Sequence, residues 1–227
     1  MRHILSILIV FIPVILSAQK TEFSSGLLSS ITFSTSITDN LQITAKAESM
    51  QEMLSNRSTI EVPYAYSYLK TDLQGFVSYR FNPFWSAAAG YQYRLINGDD
   101  NAHRAIQQLA LVQRRTAYRL GHRFRTDQTF RDSESTEYRF RYRLSAEFSL
   151  QGQEVDPREF YLLISDEPIF SLQDDEQDIE NRFSVNIGYY FSSRHRLEAG
   201  PDYRVDKLLS GGNRHRIWIN LGWKIKI

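Results

Sequence analysis

From Tyr138 to Leu150 the chain reads YRFRYRLSAEFSL. Tyr138, Phe140, Tyr142, Leu144, Ala146, Phe148 and Leu150 take every second place, with Arg139, Arg141, Arg143, Ser145, Glu147 and Ser149 between them. RFSVNIGYYF repeats the scheme, setting Phe183, Val185, Ile187, Tyr189 and Phe191 against Arg182, Ser184, Asn186, Gly188 and Tyr190. The C-terminal RIWINLGWKIKI does so again, with Ile217, Ile219, Leu221, Trp223, Ile225 and Ile227 alternating with Arg216, Trp218, Asn220, Gly222, Lys224 and Lys226. Successive side chains of a strand point to opposite faces, so each stretch is a strand with one apolar and one polar side. Beyond the N-terminal segment no stretch carries the three-to-four-residue spacing of an amphipathic helix.

Turn residues divide the rest into similar pieces. Thr38–Asn40, Asn82–Phe84 and Ser192–Arg194 are short, whereas NGDDNA, RDSEST, SLQDDEQDIEN and KLLSGGN are longer and polar. The predicted strands are 24–37, 41–53, 66–81, 85–95, 103–116, 120–131, 137–150, 159–169, 181–191, 195–206 and 214–227. Short and long connections largely take turns, as in an outer-membrane barrel with periplasmic turns at one end and extracellular loops at the other. QGQEVDPRE is too long to be such a turn. The segments number about eleven, but single-chain bacterial barrels have even strand counts. The expectation is therefore an all-β, transmembrane, antiparallel up-and-down barrel of about 10–12 strands, ten or twelve being the even choices. The discrepancy points to Leu54–Tyr68, which could hide pairing, to a split N-terminal segment, or to HRAIQQLALVQRRT, which alternates poorly.

Periodicity says which residues share a face and leaves open which face meets water, so a soluble lipocalin-like barrel competes with a membrane barrel. The polar face carries Lys46, Glu48, Arg80, Arg94, Arg123, Arg125 and Asp127 besides the later arginines, which a soluble surface could also hold. The apolar face has rings at strand ends: Tyr79, Phe81, Trp85, Tyr91, Tyr93, Tyr138, Tyr189 and Phe191. Such rings suit aromatic girdles at membrane interfaces. The ending NLGWKIKI, with polar Asn220, then Gly222, then hydrophobic Ile225 and Ile227, resembles the C-terminal signal of outer-membrane proteins, although its last residue is isoleucine where phenylalanine or tryptophan is commoner.

The N-terminus supplies the compartment. Arg2 and His3 precede an apolar run from Ile4 to Leu16, followed by LSAQ, the layout of a secretory signal peptide cleaved after Ala18. The run is too short for a spanning helix, which needs about 20 residues. The expected organisation is residues 1–18 as signal peptide and 19–227 as one barrel domain. The chain has 227 residues and no cysteine, which excludes disulfides, thiolate metal sites and cysteine nucleophiles. Lysine plus arginine (27) nearly balances aspartate plus glutamate (26), giving no reason to expect nucleic acid as a partner.

The run YRFRYRLSAEFSL, then EFYLLISDEPIF, then ENRFSVNIGYYFSSRHRLEAGPDYR resembles a family of outer-membrane barrels known only as domain of unknown function 2490, found mostly in Bacteroidota. Its members share arginine-bearing strands, an acidic residue in the following strand and an arginine opening the next hairpin; the matching positions here are Arg139, Arg141, Arg143, Glu167 and Arg182. The resemblance spans most of the chain after the leader and is clearest after Gly121. It implies location and fold, and no activity. Outer-membrane lipid, lipopolysaccharide and, during biogenesis, the barrel-assembly machinery are the partners expected.

Arginines and acids on one face of a narrow barrel meet across its lumen, and unpaired buried charge is costly. Arg139, Arg141, Arg143, Arg182, Arg196 and Arg204 are therefore expected to pair with Glu147, Glu167, Glu198 and Asp202. Such a network could fill and stiffen the lumen, the leading reading, or form a cationic constriction that favours anions in a small pore. A lipid hydrolase is the outside reading. It would need a nucleophile within reach of His103, His122, His195 or His215, none of which lies in a recognised nucleophile motif. Asp174, Asp175, Glu176, Asp178 and Glu180 form an acidic segment read as a solvated loop, with a calcium site as the weaker reading, since the glycine of an EF-hand loop is missing. No catalysis, cofactor or metal is expected.

Overall fold

A computed structural model describes residues 22–56, 64–116, 118–132, 134–152 and 154–227. The proposed signal peptide, residues 1–18, lies outside them.

Period-two alternation forms strands throughout, and among the described residues there are eleven: β1 (Glu22–Ser36), β2 (Leu41–Ser55), β3 (Tyr64–Arg80), β4 (Trp85–Ile96), β5 (Ala102–Arg114), β6 (Tyr118–Arg131), β7 (Glu134–Ser149), β8 (Phe160–Gln173), β9 (Glu176–Ser192), β10 (His195–Asp206) and β11 (Arg214–Lys226). Each pairs antiparallel with the next, and β11 returns to β1 to close the barrel. Closure leaves no edge with unpaired backbone groups.

The eleven segments read from alternation correspond to these eleven strands, and only the preference for an even count is corrected. In an up-and-down barrel an odd count makes the first and last strands run the same way, so the seam must be parallel. It is, with Glu22 opposite Arg214 and Ser34 opposite Lys226. The suspected pairing within 54–68 lengthens two strands, Glu52 facing Ser67 and Leu54 facing Tyr64 across a bulged register. HRAIQQLALVQRRT lies in one regular strand as far as Arg114, and Ala102, Arg104 and Ile106 fill inward places of that strand.

Two expected long loops are also corrected. RDSEST and SLQDDEQDIEN belong mostly to strands: β6 and β7 meet across residues 132–133, and β8 and β9 across Asp174 and Asp175. Both aspartates have positive φ, 48° and 64°, the pair of left-handed residues that a tight hairpin turn requires and that aspartate tolerates. The β1–β2 end carries connections 37–40, 81–84, 115–117, 150–159 and 193–194, and the β2–β3 end carries 56–63, 97–101, 132–133, 174–175 and 207–213. Because β11 runs parallel to β1, the C-terminus emerges at the β1–β2 end.

The alternation sorts side chains inside out. Tyr138, Phe140, Phe183, Ile187, Ile219 and Trp223 are exposed on the outer wall, whereas Arg139, Arg141, Ser184, Asn186, Glu167 and Arg204 are buried inside. The apolar interior is small: Leu28, Met50 and Trp218 cluster with Leu69, and Ile106, Ile169 and Ala102 are also buried. Trp218 lies against Gly26, where a Cβ would come within 2.7 Å of its ring and 1.9 Å of the Gln51 carbonyl oxygen. This close approach explains glycine at the seam.

Candidate functional site

The interior splits along the barrel axis into a filled part and an open part. A cavity of about 680 Å³ begins at the β1–β2 end, beside Thr38, Asn40 and Arg80, and reaches as far as Arg94, Arg104, Arg139 and Arg182. Its described lining stops there. Towards the β2–β3 end the Trp218 cluster, Ile106, Ile169 and buried ion pairs occupy the lumen. Lysine and arginine outnumber aspartate and glutamate along the cavity wall.

Register builds the charged wall. On β6 and β7, Arg123 stands directly opposite Arg143, Arg125 opposite Arg141, and Asp127 opposite Arg139, all pointing inward. Like charges directly opposite on a sheet destabilise it unless something compensates. Fully buried Asp127 compensates part: it accepts bonds from Arg125 Nε at 2.6 Å, Arg139 Nη2 at 3.0 Å and Arg141 Nη1 at 3.2 Å. Glu167 on β8 compensates more, accepting from Arg123 Nη2 at 2.8 Å and Arg141 Nη2 at 2.9 Å. Arg143 finds no carboxylate within ion-pair distance among the described residues; its Nη2 donates to Ser165 Oγ at 2.7 Å, and Ser165 in turn bonds Ser184 at 2.8 Å.

The charge pairs expected from sequence are met only in part. Arg141 does pair with Glu167, and Arg204 with Asp202 at 2.5 Å. Arg139 uses Asp127, and Arg182 uses Glu180 at 2.7 Å. Arg196 lies over the Tyr190 ring, 4.0 Å from its centroid. Glu147 pairs with Arg119 at 2.7 Å, and Glu198 takes Lys224 at 2.6 Å and the Tyr161 hydroxyl at 2.8 Å. These partners differ because the strand register was unknown. Counting back from Arg131 opposite Glu134 alone would set Asp127 against Tyr138; a register shift between Thr129 and Arg131 moves the pairing by one and brings Arg139 opposite.

Asp206, Arg214, Arg216 and Tyr161 carry pairing that sequence reasoning did not assign. Arg216 bridges Asp206 at 2.8 Å and Glu180 at 3.2 Å, and Arg214 also pairs with Asp206. The acidic segment is divided among three tasks. Asp174 and Asp175 make the turn, Asp178 accepts from the backbone N–H groups of Lys207 and Leu209 at 2.9 and 3.3 Å, and Glu180 joins the interior ion pairs. Among the described residues no three histidine or acidic side chains converge as a metal site.

The outer wall holds the four described histidines. His122 bonds the Tyr142 hydroxyl at 2.8 Å, His215 the Tyr203 hydroxyl at 2.7 Å, and His103 the Tyr91 hydroxyl, while His195 lies beside Trp223. Three of these four rings thus have a tyrosine hydroxyl as their hydrogen-bond partner. Gln107, Thr126 and Gln128 bond one another on the same wall, and Asp166 stands exposed between Leu144 and Phe183.

Of the C-terminal positions, Asn220 donates to Asn186 at 2.9 Å, and Gly222 faces the cavity beside Ser30. Ile225 lies near the end of β11 and Ile227 just beyond it, exposed and with its N–H bonded to the Ser34 carbonyl at 2.8 Å.

A closed, odd-stranded β-barrel with a charged interior and an apolar exterior is the class that this fold and cavity define. The family model for the protein of unknown function DUF2490 matches residues 26–216, and the chain belongs to that family. No curated protein and no solved structure matches it.

Proposed function

We propose that the protein is a non-catalytic outer-membrane barrel whose lumen is a cup, closed at one end, that accepts anions from the periplasm and does not conduct. The cavity that stops at the level of Arg104 and Arg139 carries this reading, because a constitutive pore needs a continuous aqueous path. Support for the membrane comes from the inverted distribution of side chains: polar and charged residues dominate the buried set, while rings and aliphatic side chains cover the outside. Apolar patches of such extent mark contact with membrane or protein. Side assignment follows from the ending NLGWKIKI, whose strand finishes at the β1–β2 end, where the cavity opens. The filled end would then face the cell exterior. Ion pairs with a carboxylate on each flank make the fill rigid.

Planar-bilayer recording of the refolded mature chain tests the cup against the pore. No unitary openings are expected at any salt concentration. Steady anion-selective openings that disappear on replacing Arg141 and Arg143 by glutamine would establish the narrow channel instead.

A further inference from the structure

We propose that the Arg123–Arg143 wall of the cavity is a binding site for a tetrahedral oxyanion, the phosphate group of a small soluble solute. This deepens the cup reading and rests on it. The four inward arginines at 123, 125, 141 and 143 form a two-by-two block, since β6 and β7 place them in direct register. Two carboxylates, Asp127 and Glu167, serve the block, Asp127 being shared with Arg139 as well, and Asp202, opposite Ser184 on the cavity wall, is taken by Arg204. The four guanidiniums therefore keep an excess of at least two positive charges over the carboxylates bonded to them. A phosphate dianion carries that charge.

Geometry locates the deficit on the cavity side. Asp127 lies deep, beyond the reach of the cavity, whereas Arg123, Arg143, Ser165 and Ser184 line it. Arg143 has a serine hydroxyl as its partner where a carboxylate would be expected, and the buried Nε groups of Arg123 and Arg141 have none. Buried guanidinium N–H groups without acceptors are costly. An oxyanion seated against Arg123 and Arg143 supplies acceptors to both planar forks, the arrangement for which arginine is suited and lysine is not. The Ser165–Ser184 hydroxyl pair offers a further donor at 2.8 Å from its neighbour. Tetrahedral geometry allows several donors to converge, which a planar carboxylate or a halide accommodates less well. The cavity has room for more than a phosphate, so a phosphomonoester with a short polar body fits.

Isothermal titration of the refolded mature chain in a phosphate-free glycoside detergent tests this, with inorganic phosphate, glycerol 3-phosphate, lysophosphatidic acid and chloride as separate probes. Inorganic phosphate and glycerol 3-phosphate are each expected to bind saturably, one per chain, with chloride silent. Arg143→Gln should weaken phosphate about tenfold or more, the loss of a charge-assisted hydrogen bond. Arg143→Lys should recover part of it, and Arg131→Gln, at a pair with Glu134 outside the cavity, should leave it unchanged. Retained heat-modifiable gel mobility reports that each variant folds; if Arg143→Gln does not, Arg123→Gln replaces it. Silence of inorganic phosphate, equal weakening by Arg131→Gln, or heat from the lysolipid alone would overturn the proposal. Detergent titration is blind to membrane and sidedness. Binding without outer-membrane residence would therefore sink only the earlier reading, and residence without binding only this one.

Discussion

Asp127 shows what a single side chain does inside this barrel. Fully buried, it accepts from three guanidiniums on two strands. Removing one partner of a buried charge network leaves the others uncompensated, which typically costs about 3–5 kcal/mol. Asp127→Asn is expected to destabilise the refolded barrel by about that amount, read as a lowered urea midpoint in vesicles with the slope unchanged. A loss comparable to a surface mutation would mean that water, not Asp127, carries the arginines. Identity and inward phase of Arg139, Arg141 and Glu167 could be read from alternation. Their partners could not, because pairing depends on register, and register here turns on the shift between Thr129 and Arg131 and on the turn at Asp174 and Asp175, which alternation does not announce.

At the scale of the element, β1 and β11 decide the count. Each alternates on its own, and nothing in either sequence says that they run side by side in the same direction. The structure pairs Ser29 with Leu221, both on the outer wall. Neighbouring strands lie about 4.8 Å apart, within the Cα separation that a disulfide spans. Because the chain lacks cysteine, Ser29→Cys combined with Leu221→Cys should oxidise to a single intramolecular bond, seen as a mobility shift reversed by reductant. A twelfth strand between them would separate the thiols and prevent it. Gly188 makes a similar point within one element. It reads as a weak place in a strand, yet a Cβ there would sit 2.1 Å from the Tyr161 ring, so glycine makes room for the tyrosine that holds Glu198.

Across the whole molecule the two barrel ends differ, and the proposed orientation gives them different neighbours. Asn40 lies at the cavity mouth and Asp175 at the filled end. With no native thiol to interfere, Asp175→Cys should react with a membrane-impermeant maleimide on intact cells, and Asn40→Cys only after the outer membrane is permeabilised. The opposite pattern would turn the cup outward and reverse the proposed direction of anion access.

Alternation alone determined that this is an all-strand chain with one charged and one apolar face, because side-chain direction in a strand is a local property with period two. Tertiary structure alone decided that the eleven segments close one barrel, the parallel seam, the filling of one end of the lumen and the arginine block with fewer carboxylates than guanidiniums. Those depend on which strands lie beside which and in what register. Closure brings residues as distant as Gly26 and Trp218 into contact, and no local pattern encodes that meeting.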